Sequence, residues 1–363
     1  MKRFTRAGRG AAARHAAVTI RDVARRARVA VGTVSRVVNN RPDVNGELRA
    51  RVLRAAEDLD YHPNARARSL ARNSSTMLSF ILSNRDFLHP FHSHVLQGVQ
   101  EYCEQAGYFV MYTRFQYSAD SKPSQIRLPA VLQSHAMTDC VVLAGSNYEN
   151  FTKVLENRGI PYVLLANNFA SEGPREPVDQ VRFDDDAGAA EATRYLIQLG
   201  HKHIWYIGDT SLPWYRTRYQ AYVREMENAG FQPCAQTLAL SDDRFMNGVK
   251  SVQALLEQKA PVTALFAGTD DVAYGALEGL RRCGLQVPGD ISLVGFDDQQ
   301  IRTPSLTSVR VDREEIGRQL AKMAINKIMA NGQSMPEVLL PTKLMKRETC
   351  RPLLNMHPAK EQA

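Results

Sequence analysis

The chain has 363 residues, 46 Lys and Arg against 38 Asp and Glu, and a formal net charge of +8. That length is too great for one hydrophobic core, so several domains are expected. Its five cysteines (Cys103, Cys140, Cys234, Cys283, Cys350) are odd in number and lack paired spacing, which argues against a disulfide framework or a zinc site and for reduced thiols in a cytoplasmic protein.

Residues 1–17 carry five basic residues and no acidic one, without the apolar stretch of a secretory signal, and read as a basic disordered arm. No apolar run approaches a membrane span, so no membrane partner is expected. Residues 1–72 hold 17 of the basic and 6 of the acidic residues, a net of +11, which leaves −3 on the remainder. A basic front on a mildly acidic body is the electrostatic pattern of a DNA-binding module joined to something else.

The first helix is expected from Thr19 to about Ala27, with Thr19 as cap and Asp22 as its reciprocal partner. Ile20, Val23, Ala24 and Ala27 share one face. Arg28-Val29-Ala30 makes a turn. A second helix, Val31 to about Val38, packs Val34, Val37 and Val38. Asn45 caps a third helix ending near Leu59, with Leu48, Val52, Ala55, Ala56 and Leu59 as its apolar stripe. Pro63 stops the helix. Two short helices around a tight turn, then a third, form a helix-turn-helix, whose second helix enters the DNA major groove.

After Arg72, apolar strands alternate with amphipathic helices: MLSFILS, HVLQGVQEYCEQAGY, FVMYTRF, DCVVLAGS, a helix through Glu149–Arg158, and IPYVLLANN. HIWYIGD, a helix through Tyr219–Ala229, VTALFAG, a helix through Val272–Cys283 and ISLVGFDD follow. This predicts doubly wound α/β structure with mainly parallel sheets in two lobes, and a ligand cleft beyond the carboxyl ends of the strands.

DVARRARVAVGTVSRVVN followed by YHPNARARSLAR resembles the lactose-repressor family of bacterial transcription regulators. FDDDAGAAEATRYLIQLGHKHIWYIGD, RYQAYVREMENAG, VTALFAGTDDVAYGALEGLRRCGLQVPGDISLVGFDD and LLPTKLMKRETC extend the resemblance more loosely over the rest. It implies a helix-turn-helix domain over 18–63 and a hinge helix and linker over 64–75. It also implies a periplasmic-binding-protein-like (type I) effector and dimerisation domain over 76–351, then a tail over 352–363. Lobe 1 would hold 76–183 and 312–340, and lobe 2 would hold 184–311 and 341–351.

In the DNA-binding part, Ala30 stands where the family usually has a Ser or Thr cap, and Gly32 where it has a bulkier polar residue. Val31 and Gly32 occupy base-reading positions: valine suits a thymine methyl, glycine offers only backbone, and Arg36 suits a guanine edge. Thr33, Ser35, Asn39 and the helix N-terminus at Asn45 are expected to face phosphates, and Thr19 is expected among the DNA-binding residues. In the hinge, Leu70 is the minor-groove wedge and Ala67 allows close backbone approach. A dimer on a palindromic operator is implied. No leucine heptad follows Cys350.

In the effector part, Arg218 falls at the ligand-gripping arginine and Asp297 at the acid that accepts ligand hydroxyls. The pair is expected to face each other across the cleft and to suit a polyhydroxylated molecule. Thr269 replaces the usual Asn. Phe91, His92 and Trp214 map near the cleft, where sugar stacking and ordinary core packing both account for them. Asp312-Arg313 sits at a crossover. HPFHSH (89–94) has no clear fourth metal ligand, Asp184–Asp186 reads as helix capping with Asp184 also placed to reach the cleft, and His201 and His203 read as structural.

An enzyme would need a reactive constellation, and no Gly-rich phosphate loop, nucleophile elbow or zinc signature is present. A transport protein of the same fold would need export and no helix-turn-helix. The expected function is a DNA-binding regulator, a repressor, controlled by a sugar-like effector and needing no cofactor. A regulator sensing a protein partner or a phosphorylated metabolite is the alternative.

Overall fold

The computed structural model describes residues 18–38, 43–61, 75–85, 89–134, 137–170, 176–237, 243–299 and 303–353. The chain divides into two compact units, residues 1–75 and 76–363.

The first unit contains α1 (Ile20–Ala27), α2 (Val31–Val38) and α3 (Gly46–Asp58). The Thr19 backbone N–H and hydroxyl both donate to Asp22 Oδ2, at 3.0 and 2.6 Å, which fixes the start of α1. Arg28 ends α1 in the left-handed region (φ 50°) and turns the chain toward α2. Asn45 Oδ1 accepts from Glu47 N at 2.9 Å and starts α3. Val23, Ala24 and Ala27, Val34 and Val37, and Val52 and Ala55 form the common core, one group from each helix. Leu48, expected on the apolar stripe, is only half-buried and lies outside that core.

The second unit begins with β1 (Met77–Ser83), α4 (Pro90–Ala106), β2 (Phe109–Phe115), β3 (Cys140–Gly145), β4 (Asn147–Tyr148), α5 (Glu149–Asn157), β5 (Tyr162–Leu165), β6 (Phe169–Ala170) and β7 (Gln180–Phe183). It continues with α6 (Asp185–Gln198), β8 (Ile204–Ile207), α7 (Pro213–Asn228), β9 (Cys234–Gln236), α8 (Arg244–Glu257), β10 (Ala264–Ala267), α9 (Asp270–Arg282), β11 (Ser292–Asp297) and β12 (Thr307–Arg310). Last come α10 (Arg313–Met329), β13 (Val338–Leu340) and β14 (Lys343–Met345).

One six-stranded sheet runs β13-β7-β5-β3-β1-β2 and the other β14-β12-β11-β10-β8-β9. All pairings within these sheets are parallel except β12 with β14. The chain passes between sheets after β7, between β12 and α10, and between β13 and β14. Helix α10 packs on α4 and the first sheet, while α6 packs on α7 and the second. Central strands β3 and β11 are buried along their whole length, as strands covered on both faces must be.

Helix α7 starts six residues before the expected Tyr219, because Pro213 takes the first helical position, where its missing N–H costs nothing. The two bodies share a packing device. A side chain at Gly98 or Gly317 would strike the facing backbone of α10 or α4, and one at Gly248 or Gly275 would do the same between α8 and α9. Glycine lets each helix pair approach closely.

Candidate functional site

In the helix-turn-helix unit, α2 turns Val34 and Val37 into the core. That leaves Val31 42% exposed, and Arg36 is exposed as well. Beyond Gly32 a side chain would meet nothing within 4 Å. Thr33 and Ser35 are half-buried. The Ala30 carbonyl accepts from Thr33 N and Val34 N, at 2.9 and 3.3 Å, but its methyl offers no capping oxygen. Thr19 and Asn45 are exposed and engaged in capping their own helices. Asn39, Ala67 and Leu70 lie outside the described residues.

In the second unit, Phe91, His92, Trp214, Arg218, Thr269 and Asp297 all line one small cavity of about 30 Å³. It shares Arg85, His89, His92 and Arg244 with a larger cavity of about 650 Å³. Both sit where strands β1, β8, β10 and β11 end and helices α4, α8 and α9 begin, the usual ligand position in such sheets. Contacts cross between the two bodies here. His89 Nε2 lies 2.8 Å from Asp271 Oδ2, and the Arg85 guanidinium is 4.9 Å from the Trp214 ring centre.

Arg218 is 2% exposed. Its Nε donates to Asp185 Oδ1 at 2.7 Å, its Nη2 to Asp297 Oδ1 at 3.3 Å, and its Nη1 to the Gly268 carbonyl. The guanidinium lies 3.6 Å from the Phe296 ring centre. Burial opposes its charge, but Asp185 and Asp297 outweigh burial and hold it above the ordinary arginine range. Burial raises the Asp185 and Asp297 carboxyls, and Arg218 limits the rise. The expected opposition of Arg218 and Asp297 across the cleft is therefore corrected. Both belong to the second body and are ion-paired, because β11 ends beneath α7.

Asp184–Asp186 also needs correction as a simple capping run. Asp184 does cap α6, accepting from Ala187 N at 2.9 Å, and Asp186 pairs with Arg224 at the surface. Asp185 instead turns inward to Arg218 and Asn167. Thr269 caps α9 and lies 3.0 Å from the Tyr215 hydroxyl. Tyr215 in turn packs where a side chain at Gly208 or Gly268 would clash. Asp270 is buried below. It accepts from the Ser308 hydroxyl and Gln299 N, while burial and the neighbouring Asp297 push its carboxyl well above the carboxylate range.

Phe91 packs on Phe183 with ring centres 5.8 Å apart. Trp214 is 5% exposed, with Arg85 and Arg244 against its ring. His92 is 3% exposed, and neither ring nitrogen has a hydrogen-bond partner among the described residues. Burial, then the charges of Arg85, His89 and Arg244, hold its imidazole well below the usual histidine range. His94 meets Glu314 at 2.5 Å, and the described residues contain no group of three or more metal-ligating side chains. His201 bridges Thr263, Ser292 and the Arg351 carbonyl, and Asp312 caps α10. Asp185, Asp270, Arg85, Arg244 and Tyr215 were not identified by sequence reasoning.

The two units define a helix-turn-helix protein with a periplasmic-binding-protein-like body. Residues 19–64 match the model of bacterial regulatory proteins of the lacI family, and residues 193–350 match the periplasmic binding protein-like domain. The HTH-type transcriptional repressor CytR of Escherichia coli strain K12 is 32% identical over 341 residues, 93% of this chain and 97% of its own length. The solved complex of the regulator CelR with cellobiose is similar at a TM-score of 0.65 and 27% identity, over 92% of this chain and 99% of that one. A Lac repressor dimer bound to operator and the anti-inducer ONPF shares the fold at a TM-score of 0.74 and 24% identity, over 93% and 100%. The chain belongs to the lacI family of bacterial regulatory proteins. It is a DNA-binding transcription regulator and not an enzyme. No helix among the described residues is long and apolar enough to cross a membrane.

Proposed function

We propose that this regulator is a repressor that binds a palindromic operator as a homodimer and is controlled by a small polyhydroxylated effector, a sugar or derivative, in the cleft. The carrying observation is the buried Arg218–Asp185–Asp297 cluster at the base of a cavity between the two bodies. Fixed donors and acceptors that are already oriented are what a sugar's hydroxyls need for tight, selective binding. CytR's naming as a repressor and CelR's complex with cellobiose support the sign of action and the ligand class. On the DNA side, Arg36 is the reader, Val31 and Gly32 lie close to the bases, and Ala67 and Leu70 belong to a hinge that enters the minor groove.

A thermal-shift screen of sugars on the full chain tests the sensor reading, since a ligand that binds the folded state raises the melting point. A complete absence of stabilisation across the screen counts against it. Arg36→Ala is expected to cost roughly 1–3 kcal/mol on the operator and to flatten preference at one base pair per half-site. An unchanged base preference in a binding-site selection removes Arg36 as the reader.

A further inference from the structure

We propose that Asn167 is a positioning residue that ties Arg218 to the first crossover between the two bodies, and so relays effector binding to the arrangement of the sheets. This rests on the cleft being the effector site and names how that site is regulated.

Asn167 belongs to the first body, in a single turn (166–168) between β5 and β6 that lies against α7 of the second. Its amide is used three times. Nδ2 donates to the Phe183 carbonyl at 2.8 Å and to Asp185 Oδ2 at 2.7 Å, and Oδ1 accepts from Phe183 N at 3.1 Å. Phe183 ends β7, where the chain leaves the first sheet, and Asp185 begins α6, which packs on the second. Holding the end of β7 needs only the two bonds to Phe183. The third bond, to Asp185, connects that end to Arg218.

Asp185 divides its two oxygens between the bodies. Oδ2 takes Asn167 from the first, and Oδ1 takes Arg218 Nε from the second at 2.7 Å. The carboxylate is buried and planar, so a shift of the guanidinium moves both bonds together. Hydrogen bonds to a charged group away from water are strong and costly to leave unmade. A guanidinium has five N–H groups. Arg218 gives one to Asp185, one to the Gly268 carbonyl and one to Asp297, which leaves one on each terminal nitrogen for a ligand hydroxyl. Asp184 extends the tie to the last crossover. Its N–H donates to the Leu340 carbonyl at 2.9 Å, and its carbonyl accepts from the Thr342 hydroxyl at 3.0 Å. A ligand that draws on Arg218 thus reaches two of the three crossovers through hydrogen-bonded neighbours.

The test uses the full chain, a labelled operator and, as probes, neutral hexoses, pentoses and disaccharides at saturating concentration. Coupling is read as the ratio of operator affinities with and without sugar, which for coupled sites is roughly 5–150-fold. Asn167→Asp keeps an acceptor for Phe183 N but replaces the donor facing Asp185 with a second acceptor. Asn167→Ser is neutral and too short to span both partners, so it separates lost reach from added charge. In both variants the ratio should fall toward one, while sugar affinity measured without DNA stays within about threefold of wild type. Combining Asn167→Asp with Asp185→Asn restores a donor and an acceptor between the two positions at unchanged net charge, and should recover most of the ratio. A merely structural asparagine gives a lower urea midpoint in the single variants with the ratio unchanged, and that result overturns the relay. Sugar affinity lost together with the ratio and not recovered in the double variant overturns it as well, because Asn167 would then serve the site and not its coupling. Sugar that binds wild type and leaves the ratio intact in both single variants sinks the relay alone. If no sugar binds wild type, the cleft reading fails first and the relay with it.

Discussion

Asp270 lies below the charged cluster, and its carboxylate accepts from the Ser308 hydroxyl and the Gln299 N–H. Burial is the main cause of its raised pKa, and the neighbouring Asp297 adds to it. The folded chain therefore holds this proton more tightly than the unfolded chain, whose carboxyl titrates near 3.9, roughly the model-peptide value. The group's stabilising contribution is complete below that value and is lost as pH rises through the raised folded one. Asn at this position keeps an acceptor for Gln299 N and can donate to Ser308. Asp270→Asn should thus match wild type in acid and become progressively more stable than it as pH rises toward neutrality. Urea midpoints taken across that range check this, and a pH-independent difference sinks it. At this scale the sequence was partly legible. A resemblance placed six residues at one cavity, but Asp185 was hidden among three consecutive aspartates. Only the packing of α6 on α7 decides which of them turns inward. Arg85 and Arg244 carry no periodic signal, because an arginine after a strand or at a helix start reads as surface.

The elements were more legible than their ends. Helices α1, α2 and α3 follow their apolar spacing and caps, because a short helix has few ways to bury one face. Strand β9, of three half-buried residues, is too short for periodicity to announce. The start of α2 carries a testable weakness. Ala30 is exposed and its carbonyl already accepts the first bonds of the helix, yet its methyl offers no oxygen to the first-turn N–H groups. Ala30→Ser adds a capping oxygen and should stabilise α2 by about 1 kcal/mol. Amide exchange at Val34 and Val37 should then slow by about fivefold. Unchanged exchange at both positions would mean that the helix start is already satisfied by another group.

At the scale of the whole molecule, the cleft can influence DNA only if an effector prefers one arrangement of the two sheets over another. The crossings after β7, between β12 and α10, and between β13 and β14 are covalent links that a change in cleft closure must pass through. Choosing a variant to test coupling needs the Arg218 geometry. Arg218→Ala would leave Asp185 and Asp297 buried without their cation, a loss of about 3–5 kcal/mol that would confuse misfolding with lost response. Asp297→Asn is the cleaner change, because Arg218 keeps Asp185 at 2.7 Å and the side-chain volume is conserved. This variant should lose most of the effector's influence on operator affinity while binding operator, without effector, at wild-type affinity and with the same salt dependence. A chain beginning at Thr76 should show the converse and bind effector but not operator. Calorimetry with the best ligand from the screen and fluorescence anisotropy with labelled operator, run on all three proteins, give the answer. Wild-type effector affinity in Asp297→Asn removes Asp297 from the ligand's contacts. Operator binding lost in folded Asp297→Asn, before any ligand is added, would mean that the charged cluster itself sets the DNA-binding state.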